Sequence, residues 1–195
     1  MAVDIGLVVL GFLFGSIPTG VILAWWKGRV DLRQVGSGNI GATNVARALG
    51  KGMGALTMAC DIAKGIIPVV IARRITGDAT MVVALTALAA FLGHLYSPFV
   101  KFKGGKGVAV AVGVVAGFNP MVGGIEFSLW AILVALTRVV SIASLSAALA
   151  LPFVLLLFKA GLPFILLGVV ICILIFYRHR ENIGRLMAGT ERGFR

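Results

Sequence analysis

The sequence predicts an all-α integral membrane protein, a bundle of seven transmembrane helices forming one domain over residues 1–195. Three observations predict it. The chain is 59% hydrophobic and only 13% charged, with a mean hydropathy of +1.05. Its apolar residues gather into runs of about the length that crosses a bilayer. Its net charge of +11 sits in short basic clusters between those runs. A soluble domain of this size has too few polar residues to cover so much apolar surface, whereas lipid can act as its outer solvent.

The runs fall at about 3–26, 54–72, 80–99, 108–117, 121–137, 142–158 and 162–177, against the ~20 residues that a spanning helix needs. The fourth is short, and Asn119-Pro120 leaves almost no loop before the fifth. Six spans with one re-entrant element is therefore the alternative. Pro18, Pro68 and Pro152 fall inside runs and are expected to kink them. Trp25, Trp26 and Tyr177 stand at run ends, where interfacial aromatics belong. The 26 glycines suit close helix contacts in lipid.

Loop charge orients the bundle. One set of loops holds Lys27, Arg29, Arg33, Arg47, Lys51, Lys101, Lys103, Lys106, Arg138, Arg178, Arg180, Arg185, Arg192 and Arg195. The other holds only Arg73, Arg74 and Lys159. The positive-inside rule places the first set in the cytoplasm, with the N-terminus outside and the C-terminus inside. Met1-Ala2-Val3-Asp4 carries an acid where a cleavable signal carries bases. Clusters this short suit anionic lipid and anionic substrates, and no nucleic-acid face is expected. Cys60 and Cys172 lie within apolar runs and read as buried free thiols. No internal repeat is visible, which weighs against a transporter built on inverted repeats.

Three basic segments carry the chemistry. The first contains Gly36-Ser37-Gly38-Asn39-Ile40-Gly41-Ala42-Thr43-Asn44-Val45-Ala46-Arg47. It matches G-x-G-x-x-G, but no β-α-β unit surrounds it, so the dinucleotide reading fails. Small residues still admit backbone N–H groups to an anion. Ser37, Asn39, Thr43 and Asn44 add neutral donors, and Arg47 adds a guanidinium. A flexible loop with helix caps would use the same residues. The second segment, Lys101-Phe102-Lys103-Gly104-Gly105-Lys106-Gly107, resembles a Walker loop without its first glycine or its magnesium-binding hydroxyl. A glycine turn with a central lysine entering a helix suits a phosphate without a metal. A topology signal needs the lysines but not the three glycines. In the third, His179 and Asn182 share a face if the last helix continues, as do Asn182 and Arg185. Within the spans, Asp61 and Lys64 form a local i,i+3 ion pair, Glu126 has no local partner, and Ser144 begins the sixth span on the cytoplasmic side. No H-x-x-x-x-D, G-x-S-x-G or aspartate cluster is present in the sequence.

Taken together, S-G-N-x-G-A-T-N-x-x-R, F-K-G-G-K-G and H-R-x-N-I-x-R-L resemble the membrane-integral acyl-phosphate–glycerol-3-phosphate acyltransferases of bacteria (PlsY-type), and the resemblance covers nearly the whole chain. It implies acyl transfer from acyl phosphate to the 1-hydroxyl of sn-glycerol 3-phosphate, in the inner membrane, with no cofactor and no metal. The products would be lysophosphatidic acid and inorganic phosphate, the first acylation of phospholipid synthesis. The resemblance implies that Gly104, Gly105 and Lys106 hold the glycerol 3-phosphate phosphate. Ser37, Gly38, Asn39 and Arg47, flanked by Thr43 and Asn44, would meet the acyl phosphate head and the developing oxyanion. Ser144, His179 and Asn182, with Arg185, would orient the acceptor hydroxyl or bind phosphate, and Glu191 would organise the tail. His179 or the leaving phosphate takes the proton, and Ser37 has no local base that would favour an acyl-enzyme. These assignments require the three segments to converge in one pocket at the membrane boundary. The rival reading is an anion transporter or channel, for which the weakly basic outer side offers a poor path.

Overall fold

A computed structural model of the protein describes residues 1–77 and 80–193, and every regular element among them is helical. Arg195, counted above with the basic tail, lies outside the described residues. The chain forms two compact units, Met1–Phe118 and Asn119–Arg195.

In the first unit the 3–26 run is two helices, α1 (Ala2–Ser16) and α2 (Thr19–Gly28). Proline restricts the residue before it to extended backbone. Ile17 accordingly has ψ 117°, and the helix breaks there rather than merely bending. Next come the short α3 (Ala42–Leu49) and the long α4 (Lys51–Thr76), which continues through Pro68. They are followed by α5 (Thr80–Leu95) and α6 (Val108–Phe118). α1 packs on α5, and α4 packs on α3, α5 and α6. The α1–α5 crossing is backbone on backbone. A side chain at Gly15 would strike the Ala90 carbonyl, and one at Gly93 would strike that of Phe12. In lipid, where apolar burial drives no association, such close contact between small residues holds helices together.

In the second unit α7 (Pro120–Thr137) starts with Asn119, whose Oδ1 accepts from Val122 N at 3.1 Å. Proline then stands at the first helical position, where its missing N–H is harmless. α7 packs on α8 (Val140–Leu157), which continues through Pro152, and α8 packs on α9 (Leu162–Arg178). The last helix does not run on through the third motif. It turns by 60° at His179 into α10 (Arg180–Met187).

By length and composition five stretches can cross a membrane, Ala2–Gly28, Lys51–Thr76, Thr80–Val100, Pro120–Thr137 and Val140–Leu157, and a sixth if α9 and α10 count as one broken span. α6 has 11 residues and, at ~1.5 Å per residue, covers about half of a ~30 Å hydrocarbon core. Large apolar side chains such as Leu13, Leu85, Phe153 and Ile173 face outward, as lipid contact allows. The protein is thus an all-helical, multi-pass membrane protein. Cys60 and Cys172 are free thiols, each half-buried rather than fully enclosed.

Candidate active site

Asn44 shapes the first motif. It is buried on α3, and its Nδ2 donates to the carbonyls of Leu32 (2.9 Å) and Val35 (3.0 Å) while its Oδ1 accepts from Ser37 N (3.0 Å). Its amide therefore pins both ends of the turn around Gly36. That glycine has φ +61°, and any side chain there would run into Asn44 Oδ1. Asn39 Oδ1 closes the next turn by accepting from Gly41 N at 3.2 Å. The result exposes Ser37 and Gly38, leaves Asn39 and Thr43 half-buried, and sets exposed Arg47 with its Cδ beside Gly36.

The second motif is anchored on the end of α5. Ser97 Oγ donates to the Ser16 carbonyl at 2.6 Å, and a 3-10 turn (Pro98–Val100) follows. Lys101 and Phe102 both adopt left-handed backbone, with φ +54° and +60°. Gly104 N then donates to Leu95 O (3.1 Å), and Gly105 N donates to His94 O (3.2 Å). A side chain at Gly104 would strike those carbonyls, and one at Gly105 would strike the His94 imidazole. Both glycines thus let the loop lie against α5, their N–H groups turned to its carbonyls. Half-buried Lys106 comes next, directly before Gly107 and the N-terminus of α6. There, first-turn amides lack helical acceptors and favour an anion.

The segment leading into the second motif packs against the first. Val100 packs in one apolar cluster with Leu32, Ile40 and Val45, and Arg33 Nη2 reaches Val100 O at 3.4 Å.

In the second unit Glu191 organises the third motif. Its Oε1 accepts from Ser141 Oγ (2.8 Å) and Asn182 Nδ2 (2.5 Å), and its Oε2 accepts from Arg185 Nε (2.6 Å). Burial pushes this carboxyl up, but the three hydrogen bonds and the Arg185 charge outweigh it and hold Glu191 below its ordinary value. A depressed carboxylate stabilises the fold above the unfolded-state value and loses that contribution as pH falls through the folded one. Glu191→Gln is therefore expected to cost about 1–2 kcal/mol at neutral pH. The gap should close only in acid, below the ordinary carboxylate range. Thermal unfolding of both proteins across pH checks this, and a gap independent of pH would refute it.

His179 is buried at the α9–α10 turn, with Nδ1 2.9 Å from the Ile175 carbonyl. A carbonyl only accepts, so Nδ1 is the donor in this contact. Ser144 is buried on α8 and accepts from Trp130 Nε1 at 3.2 Å. Asn182 and Arg185 share a face of α10 and meet at Glu191, while the turn at His179 removes the continuous helix on which the His179–Asn182 spacing was read. Ser141, which completes the Glu191 site, carries no spacing signal that separates it from the other serines of that helix.

The sequence also shows only part of a buried polar cluster in the first unit. Lys64 Nζ lies 2.8 Å from Asp61 Oδ1, as the i,i+3 spacing predicts. The same oxygen accepts from Thr19 Oγ1 at 2.5 Å and lies 3.8 Å from His94 Nδ1, and Lys64 Nζ also donates to Ile17 O at 2.7 Å.

The chain is similar to known proteins over nearly its whole length. The profile of the family described as glycerol-3-phosphate acyltransferase matches residues 5–189. The chain is 48% identical over 195 residues to a protein of Geotalea daltonii named glycerol-3-phosphate acyltransferase, covering 100% of both. A protein of the same name from Aquifex aeolicus is 48% identical over 190 residues, covering 96% of this chain and 97% of its own. Two crystal structures of PlsY (YgiH), an integral membrane glycerol 3-phosphate acyltransferase, superpose closely. The glycerol 3-phosphate form gives a TM-score of 0.94 at 45% identity, covering 98% of this chain and 96% of that one. The lysophosphatidic acid form gives 0.92 at 43%, covering 98% and 95%.

Proposed function

Because the chain belongs to the glycerol-3-phosphate acyltransferase family, we propose that it transfers an acyl group from an acyl phosphate to the 1-hydroxyl of sn-glycerol 3-phosphate, releasing lysophosphatidic acid and inorganic phosphate. Family membership favours this over the anion transporter. What supports the residue roles is that the Asn44-held loop packs against Val100, just before the glycine-lysine turn that enters α6, so two loops suited to anions lie in the same unit.

Lys106 binds the phosphate of glycerol 3-phosphate together with the first-turn amides of α6, while Gly104 and Gly105 hold the turn in place. Ser37, Gly38, Asn39 and Arg47 meet the acyl phosphate head and the carbonyl oxygen as it becomes an oxyanion, beside Thr43 and the loop-forming Asn44. The acceptor oxygen forms the new C–O bond, the bond from the acyl carbon to the phosphate oxygen breaks, and the proton passes to the departing phosphate. Acyl phosphate is already activated, so no metal is required. Seven membrane segments, with the N-terminus outside and the basic loops on the cytoplasmic side of the inner membrane, suit soluble glycerol 3-phosphate meeting a lipid-borne donor.

Purified protein given palmitoyl phosphate and glycerol 3-phosphate is expected to release one phosphate per lysophosphatidic acid formed, and none without glycerol 3-phosphate. Equal turnover with palmitoyl-coenzyme A would refute the donor assignment. Absence of turnover with either donor would refute the reaction.

A further inference from the structure

We propose that His94, packed between Gly105 and the buried Asp61 cluster, is a positioning residue that fixes Lys106 for glycerol 3-phosphate binding. The proposal rests on the role given to Lys106 above.

His94 stands in the last turn of α5, 6% exposed, and holds Gly105 in two ways. Its carbonyl accepts from Gly105 N at 3.2 Å, and its imidazole lies so close to Gly105 that a methyl group there would overlap Nε2. Gly105 directly precedes Lys106, so a rotation of the ring displaces the backbone from which the lysine projects. The other edge of the ring faces a buried carboxylate. Nδ1 faces Asp61 Oδ1 at 3.8 Å, the oxygen already bound by Thr19 and Lys64. Lys64 in turn donates to Ile17 O at the break before Pro18. The chain leaving that break meets the first motif, since a side chain at Gly20 would strike the Ile40 carbonyl. One buried charged cluster therefore stands between the helix break that leads into the first loop and the histidine that seats the second. A lysine and an aspartate pairing only with each other would need neither Thr19 nor a histidine on another helix.

The proposal separates the two substrates, because His94 acts through the Lys106 loop. His94→Ala and His94→Phe, the latter keeping a ring but losing the nitrogen that faces Asp61, are expected to raise the KM for glycerol 3-phosphate about tenfold or more. The KM for palmitoyl phosphate should stay within about twofold of the unmodified enzyme. His94→Gln, which can still donate toward Asp61, is expected to recover most of the loss. Lys106→Ala is measured alongside. An unchanged glycerol 3-phosphate KM in folded His94→Phe would overturn the proposal even if His94→Ala fails to fold, and so would equal losses for both substrates. An unchanged value in Lys106→Ala would instead strike the underlying role of Lys106, and this proposal with it.

Discussion

Replacing Lys106 by alanine is expected to lower kcat/KM for glycerol 3-phosphate by about 10²–10³, a loss of roughly 3–4 kcal/mol at the transition state. The size follows from the setting. Lys106 is half-buried between two glycines at the start of a helix, so its charge is screened less than a surface lysine's would be. Lys101 and Lys103 are exposed on the same loop, and alanine there is expected to cost less than about threefold. Lys106→Arg should recover only part of the activity, because a planar guanidinium does not fit where a compact ammonium does. Steady-state phosphate release with each substrate varied in turn measures all four proteins. If Lys106→Ala kept more than half of the activity, or Lys101→Ala lost as much, the loop would be a topology signal and not a phosphate site.

The local part of this design is readable in one dimension. Helix existence follows from apolar runs, and Pro18 marks the place of a kink because the constraint lies between adjacent residues, although the helix there breaks at Ile17. The glycines of the second motif are legible as a turn, but not what their N–H groups bond. A donor's partner is decided by which carbonyl the fold brings near, here those of His94 and Leu95. Asn44 shows the same limit. Its residue type suggests a ligand donor, and its geometry shows it holding Leu32, Val35 and Ser37, contacts that depend on a turn no spacing rule announces. The turn at His179 has no proline or glycine to mark it, so the sequence alone points to a continuous last helix. Asp61–Lys64 was visible because i,i+3 neighbours share a helix face, whereas Thr19 and His94 join it across 42 and 33 residues of chain.

That cluster sets the second large effect. Asp61→Ala is expected to destabilise the protein by about 3–5 kcal/mol, since it leaves a buried ammonium without its counter-charge. Lys64 is 5% exposed and Asp61 is 3% exposed, so water cannot replace the missing partner. The Thr19 hydroxyl would lose its acceptor too, and Lys64 would keep the Ile17 carbonyl. Desolvation makes a buried pair costly to halve but cheap to remove whole. The double replacement Asp61→Leu with Lys64→Met is therefore expected to be more stable than Asp61→Ala alone, despite carrying more changes. Thermal unfolding in detergent, followed by reaction of the half-buried thiols Cys60 and Cys172 with a dye, gives the ranking. A double variant no more stable than the single one would show that Asp61 acts through packing rather than charge. If the double variant folds, His94 has lost its acidic neighbour while the helices remain intact. Its glycerol 3-phosphate KM should then rise although its stability is restored, so that the cluster's work in holding the helices and its work in aiming the lysine loop are read in one protein.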